Sequence, residues 1–197
     1  MLKRSFDIVA SFLGLIVLLP IFVCVAIWIK LDSKGPVFFR QERVGRFGAL
    51  FRIHKFRTMS VNAETVGRLT VGADSRITTS GRFLRKTKLD ELPQLIDVFL
   101  GSMSLVGPRP EVPEFMSLYP TAQREKILSV RPGITDKASI EMVDENEILG
   151  GYKDPRQAYI DVIMPIKSGF YCSYVDERSF FGDIKIIFST FWKIIFR

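Results

Sequence analysis

Asp90 and Glu91 stand side by side in Lys88-Leu89-Asp90-Glu91-Leu92-Pro93-Gln94-Leu95, between clusters of arginine and lysine. Gly107-Pro108-Arg109-Pro110 follows within fifteen residues, and Arg131-Pro132-Gly133-Ile134-Thr135 lies further on. An ionised carboxylate among cations suits a nucleophile that attacks a phosphate ester and carries the phosphoryl group covalently. Proline restricts the backbone around Arg109 and beside Arg131, so each guanidinium is presented with less entropy to lose. The planar fork of arginine matches phosphate oxygens in bidentate fashion. The same residues allow a plainer reading, in which Asp90 caps an apolar helix and the basic residues are a solvated surface.

The elements around the pair must position it. A short basic helix is expected over 81–87, carrying Arg82, Arg85 and Lys86. Asp90 then falls at the N-cap of the next helix, whose buried stripe is Leu92, Leu95, Ile96, Phe99 and Leu100, and which Gly101 ends. A helix N-terminus would hold Asp90 ionised and favour a phosphate beside it. Arg85, Lys86, Lys88 and Arg109 would lower its pKa further. Upstream, Val37–Gln41 and Leu50–Lys55 read as two short strands around a turn at 45–48, presenting Arg40, Arg52 and His54 and leading into Lys55-Phe56-Arg57-Thr58-Met59. Residues 60–78 show no period and read as a loop.

Charge is placed unevenly. Residues 1–60 carry ten Lys/Arg against three acids, which equals the net charge of +7 of the whole 197-residue chain. A basic region beside an apolar segment fits anionic lipid head groups or phosphate substrates. Nucleic acid is the rival partner, but no zinc spacing, aromatic RNA-binding signature or heptad-linked basic region supports it. Two cysteines, Cys24 and Cys172, give no disulfide framework and suit a reducing compartment. The single histidine, His54, has no nucleophile-elbow sequence to serve and too few companions for zinc. The chemistry is left to carboxylates, basic side chains and an oxygen-loving metal.

Ile8 to Ile29 is twenty-two residues without a charge, long enough to cross a bilayer core. It lacks a cleavage site, which argues against a signal peptide. Pro20 interrupts it near the middle, freeing the carbonyl of Ile16. Lys3 and Arg4 precede the segment and Lys30, Lys34 and Arg40 follow it, whereas a single span is normally basic on one side. Spanning and dipping from one leaflet both remain open on composition. At the other end Phe180, Phe181, Ile184, Ile187, Phe188, Phe191, Ile194 and Ile195 recur at helical spacing beside Lys185, Lys193 and Arg197. Such a helix fits the membrane interface or, as the commoner case, a core-facing position.

Taken together these motifs resemble the bacterial sugar transferases, the monotopic phosphoglycosyl transferases. The resemblance runs from Lys3-Arg4 with Asp7, through the segment broken at Pro20, Lys55–Met59 and Leu89–Leu95, to the two Arg-Pro turns. Six motifs hold their order over residues 1 to about 135. The fold implied is α+β, mainly helical. It has an N-terminal re-entrant helix-break-helix segment over 1–34 and a catalytic domain over 35–197. That domain would carry a small β-hairpin and amphipathic interfacial helices around a cytoplasmic active site.

The activity implied moves a sugar-1-phosphate from a UDP-sugar to a polyprenyl phosphate such as undecaprenyl phosphate, releasing UMP. It would be the first membrane step of a capsule, O-antigen, exopolysaccharide or glycoprotein glycan. Asp90 would be the nucleophile and a ligand of Mg2+, and Glu91 a general base or electrostatic partner. Arg85, Arg109 and Arg131 would clamp phosphates, and Lys55 and Arg57 would line the approach. The resemblance places the chain on the cytoplasmic face of the bacterial inner membrane, among its lipids. It allows a homodimer and points to downstream glycosyltransferases as partners, without nucleic acid. Extra transmembrane helices of larger members have no counterpart here, as expected of a minimal catalytic unit. Asp136-Lys137-Ala138-Ser139 departs from the glycine-then-glutamine of many members, and Asp144-Glu145-Asn146-Glu147 adds an acidic stretch; both are expected to bear on the sugar. The alternative from another class is a catalytically silent membrane-anchored module that binds anionic lipid or nucleic acid.

Overall fold

A computed structural model describes residues 2–61, 63, 74–142 and 145–196. Most of the loop expected over 60–78, and Asp144 of the acidic stretch, lie outside the described residues. The described chain is mainly helical, with six short strands in three two-stranded sheets.

Helix α1 runs Leu2–Asp32 as one element with Pro20 inside it. The expected helix-break-helix is therefore an unbroken helix along its backbone. It is the one described helix long and apolar enough to cross a membrane by length and composition. Asp7, Ser11, Val25 and Ile29 are buried, and Gly14, Leu18 and Phe22 between them are half-buried. This alternation of four- and three-residue steps is one face of a helix. The remaining surface, including Val9, Leu13, Val17, Ile27 and Leu31, is exposed and apolar.

That buried face touches the rest of the protein from end to end. At its start Arg4 donates to the carbonyls of Val98 and Phe99 (2.7 and 3.1 Å), and Asp7 accepts from Ser104 Oγ at 2.8 Å. Midway, Phe12 stacks on Phe99 and Phe22 meets Phe56 edge-on. At its end Asp32 accepts from Ser80 N and Oγ at 2.9 and 2.8 Å. A helix of this length is roughly 45 Å long, and folded chain lies beside all of it.

The hairpin forms in two pieces. Strand β1 (Phe38–Phe39) pairs antiparallel with β4 (Lys55–Phe56), and β2 (Glu42–Val44) with β3 (Leu50–Arg52). Helix α2 (Thr79–Lys86) is capped by Thr78 and bears the expected arginines. Helix α3 (Gln94–Leu100) starts later than the sequence suggested and ends at Gly101, whose φ of 98° suits glycine. Its buried residues are Gln94, Leu95, Asp97 and Val98, whereas Phe99 and Leu100 are exposed beside α1. Of the expected stripe, Leu95 is buried and Leu92 and Ile96 are half-buried, so only its C-terminal end turns outward.

Strand β5 (Ser104–Val106) lies parallel to β6 (Gly133–Thr135), joined through α4 (Pro113–Met116) and α5 (Thr121–Leu128). The two Arg-Pro turns meet at the ends of this pair. Gly133 N donates to Pro108 O at 3.0 Å and Gly107 N to Thr135 O at 3.1 Å. A Cβ on Gly133 would stand 2.1 Å from Gly107 N. The close approach needs glycine.

Beyond β6, Asp136 caps α6 (Lys137–Glu141), and α7 spans Glu145–Gly150. Helix α8 (Pro155–Ala158) continues through a π turn, Tyr159–Ile163, into α9 (Met164–Glu177). Pro165, which has no N–H to donate, sits at the start of α9, where the wider turn accommodates it. Phe115, Met116, Ile127, Leu149, Ile163 and Tyr171 form the largest apolar core among these helices. Helix α10 (Phe180–Ile195) turns Asp183 and Ile186 inward, but exposes Phe181, Phe188, Phe191 and Trp192. The aromatic part of its stripe faces outward rather than into the core.

Gly133→Ala should separate the two Arg-Pro turns. A forced contact of this kind costs about 1–3 kcal/mol or more. A lower denaturant midpoint at unchanged slope checks it, and wild-type stability would show that the turns can part freely.

Candidate active site

Asp90 and Glu91 lie on a single 3-10 turn, Leu89–Glu91, between α2 and α3. Lys88 enters that turn with φ of 59°, a left-handed conformation that costs a non-glycine residue on the order of 1 kcal/mol. The reversal at Lys88 turns both carboxylates inward. Asp90 is therefore not the N-cap of α3, a place that Pro93 takes. Lys88 directly follows the C-cap of α2, with its N–H bonded to Arg85 O at 3.3 Å, so the chain reverses there and Asp90 falls on a turn of its own ahead of α3.

Glu91 is gripped by two cations. Lys55 Nζ donates to Oε1 at 2.7 Å; Arg109 Nη2 donates to Oε1 at 2.6 Å and Nη1 to Oε2 at 3.3 Å. Burial alone would push the Glu91 carboxyl up, but the charges of Arg109 and Lys55 hold it well below the usual range. Glu91 in turn holds the Arg109 guanidinium well above its ordinary pKa. Lys55 behaves the other way: burial brings its ammonium down to about 8, against the pull of Glu91.

Asp90 is buried at 8% exposure, and its Oδ1 has no hydrogen-bond partner. Burial, and then the charge of Glu91, raise its carboxyl above the ordinary range, outweighing Lys55, Lys88 and Arg85. The basic surroundings had suggested a lowered pKa. Desolvation reverses that, because Glu91 takes up the nearest cations. Gln94, one turn on, is likewise buried with Nε2 unpartnered. Buried polar atoms without partners are uncommon in native proteins and call for an explanation.

The other expected residues are placed differently. Arg85, on α2, is near enough for its charge to act on Asp90. Arg57 lies elsewhere, and its guanidinium donates to the carbonyls of Ser33, Lys34 and Pro36 at 2.9, 2.9 and 2.6 Å. It closes the end of α1 instead of lining an approach, because the carbonyls beyond a helix terminus need donors. Arg131 donates Nε to Gly101 O at 2.8 Å, at the end of α3. Pro20 sits on α1, away from the carboxylates in sequence and element. His54 Nδ1 and Asp97 Oδ1 form a hydrogen bond of 2.7 Å that the sequence did not indicate. Arg43 was also missed; it donates to Pro110 O at 2.9 Å and steadies the Arg109 turn. Neither contact has a local sequence signal, since the partners stand 43 and 67 residues apart.

Among the described residues no three His, Cys, Asp or Glu side chains gather as a metal cage. Mg2+ does not require one, since it binds through one or two carboxylates plus substrate phosphates and water. The orphaned, buried Oδ1 of Asp90 fits that mode, whereas both Glu91 oxygens are already engaged.

The family model described as bacterial sugar transferase matches residues 1–197. The chain belongs to the bacterial sugar transferase family. It is 39% identical over 197 residues to UDP-glucose:undecaprenyl-phosphate glucose-1-phosphate transferase of Escherichia coli (strain K12), covering 98% of this chain and 40% of that protein. Against UDP-N-acetylgalactosamine-undecaprenyl-phosphate N-acetylgalactosaminephosphotransferase of Aeromonas hydrophila it is 36% identical over 199 residues, 98% of this chain and 44% of that protein. The chain thus spans less than half the length of these two sugar transferases. Exopolysaccharide production protein PSS of Rhizobium leguminosarum bv. phaseoli is 38% identical over 205 residues, 96% of this chain and 92% of that protein.

Lys55 should titrate near 8, charged below that pH and neutral above it, so the Lys55–Glu91 ion pair is lost as pH rises. Site-specific reductive methylation read by mass spectrometry follows this directly. Half-maximal Lys55 reactivity near the usual lysine pKa of about 10.4 would contradict the burial argument.

Proposed function

We propose that this sugar transferase moves a sugar-1-phosphate from a UDP-sugar to a polyprenyl phosphate, with Asp90 as a covalent nucleophile. The observation that carries the reading is the buried Asp90 Oδ1 left without a partner while both oxygens of its neighbour Glu91 are clamped. The activities named for the Escherichia coli and Aeromonas hydrophila relatives support the reaction class.

An Asp90 oxygen attacks the β-phosphorus of the donor, and the bond from that phosphorus to the bridging oxygen breaks. UMP leaves with the bridging oxygen and its electron pair. The sugar phosphate remains on Asp90 as a mixed anhydride. A phosphate oxygen of the lipid then attacks the same phosphorus, freeing Asp90 and giving polyprenyl diphospho-sugar. A raised carboxyl pKa makes the ionised Asp90 a more basic nucleophile, while Arg85 and Lys88 meet the charge of the diphosphate. Glu91 fits the role of electrostatic partner better than general base. A carboxylate held well below its ordinary range is a poor proton acceptor at neutral pH. It fixes Lys55 and Arg109 beside the reacting phosphorus. A Mg2+ ion held by Asp90 and diphosphate oxygens would supply charge neutralisation.

Arg109 is offered as a phosphate contact through its solvent-facing edge, its side chain being 32% exposed. Arg57 and Arg131 are assigned structural positions instead. Asp90→Asn should release no UMP and form no phospho-sugar adduct detectable by intact mass, at unchanged stability. Turnover in that variant would remove Asp90 as nucleophile, and no UMP from the wild type with Mg2+, lipid phosphate and a broad donor panel would sink the transferase reading.

The same reading places α1 in one leaflet of the inner membrane, at its cytoplasmic face. Both ends and one face of α1 are bonded to one folded body, so a spanning helix would strip the contacts of Arg4 and Asp7 or those of Asp32. The exposed aromatics of α10, with Lys185 and Lys193 on that helix, supply a second surface for lipid. With Cys24 and Cys172 replaced by alanine, Leu2→Cys and Ser33→Cys should both be labelled from the cytoplasmic side. Labelling from opposite sides would establish a span.

A further inference from the structure

Asp97 lies near the end of α3, six residues beyond Glu91, and is 2% exposed. Its carbonyl is bound by Gly101 N, Met103 N and Ser102 Oγ at 3.0, 3.1 and 3.1 Å, which fixes its backbone within the turn that ends the helix. Its side chain reaches away from that turn to the hairpin. Oδ2 accepts the backbone N–H of His54 at 2.8 Å, and Oδ1 pairs with His54 Nδ1 at 2.7 Å. Asp97 is buried and His54 half-buried, with side-chain exposures of 3% and 15%.

His54 stands where the hairpin changes from one ladder to the other. Ile53 N bonds to Gln41 O at 3.0 Å, and Arg57 N to Val37 O at 2.9 Å. Between them, the N–H of His54 goes to a carboxylate on another element. The next residue is Lys55, whose Nζ grips Glu91. The segment from Glu91 to Asp97 and the segment His54-Lys55 are therefore joined twice, once at each end. A lysine side chain has many rotamers, and a backbone anchor one residue away limits where its stem begins.

We propose that Asp97 is a positioning residue that, through His54, holds Lys55 against Glu91. The grip itself rests on geometry alone; its effect on turnover rests on the transferase reading above. Misplacing a group of the reacting site by about 1 Å can cost on the order of a hundredfold in rate. Asp97→Ala is therefore expected to lower kcat by roughly tenfold to a hundredfold while the donor KM holds, since Lys55 acts on the reacting pair and not on the nucleotide.

Reductive methylation of the intact chain reads the grip without turnover. Asp97→Ala should raise Lys55 labelling and leave exposed Lys86 at the wild-type rate. Asp97→Asn keeps an oxygen for the His54 N–H and an amide facing Nδ1, and should restore both labelling and kcat. His54→Ala removes one arm of the grip and should fall between. If Asp97→Ala does not fold, His54→Ala decides. Unchanged Lys55 labelling in a folded Asp97→Ala or His54→Ala protein overturns the proposal, as does an Asp97→Asn protein that behaves like Asp97→Ala. A wild type that releases no UMP refutes the transferase reading, and the labelling still judges the grip.

Discussion

The carboxylate of Glu91, buried and shared between Lys55 and Arg109, is the contact on which the site's architecture turns. A charge taken out of water at this depth is several kcal/mol worse off unless its partners are present with good geometry. Each partner comes from a different element. Lys55 stands on β4 of the hairpin, and Arg109 on the turn that follows β5. The carboxylate can be buried only when the hairpin, the parallel pair and the turn before α3 have all closed on it. Its neighbour Asp90 is then left in a desolvated place with Oδ1 unpartnered. One residue of the pair is satisfied so that the other can remain unsatisfied.

That division explains which parts were legible in the sequence. Asp90-Glu91, the Arg-Pro turns, the basic helix and the long apolar segment are local patterns, and each appears about where its residues suggested. The side-chain assignments within them were less secure. Arg57 and Arg109 look alike as arginines in short motifs, yet one closes the end of α1 and the other grips Glu91. Nothing in sequence spacing tells a guanidinium facing three carbonyls from one facing a carboxylate. The cap at Asp90 was misread for a related reason, since the left-handed residue Lys88, where α2 ends, puts Asp90 on a turn of its own ahead of α3. The direction of the Asp90 pKa also depends on burial, which counting nearby lysines and arginines does not measure.

The last dependence concerns α1. By composition it is an appendage that could be exchanged for any membrane anchor. In the fold it is a wall of the domain, because Arg4 and Asp7 complete hydrogen bonds that the end of α3 and the start of β5 would otherwise lack. Lys3 extends this to the site itself. Its ammonium donates to Val106 O at 3.1 Å and to Asp183 at 2.5 Å, and Tyr174 Oη donates to the same carbonyl at 3.0 Å. Val106 is three residues before Arg109. The first turn of the apolar helix and the first turn of α10 therefore close on the strand that carries the arginine gripping Glu91. Both helices also expose runs of large apolar residues, Val9, Leu13, Val17 and Ile27 on α1 and Phe181, Phe188, Phe191 and Trp192 on α10. Folding of the site and placement of both apolar helices thus rest on the same few contacts.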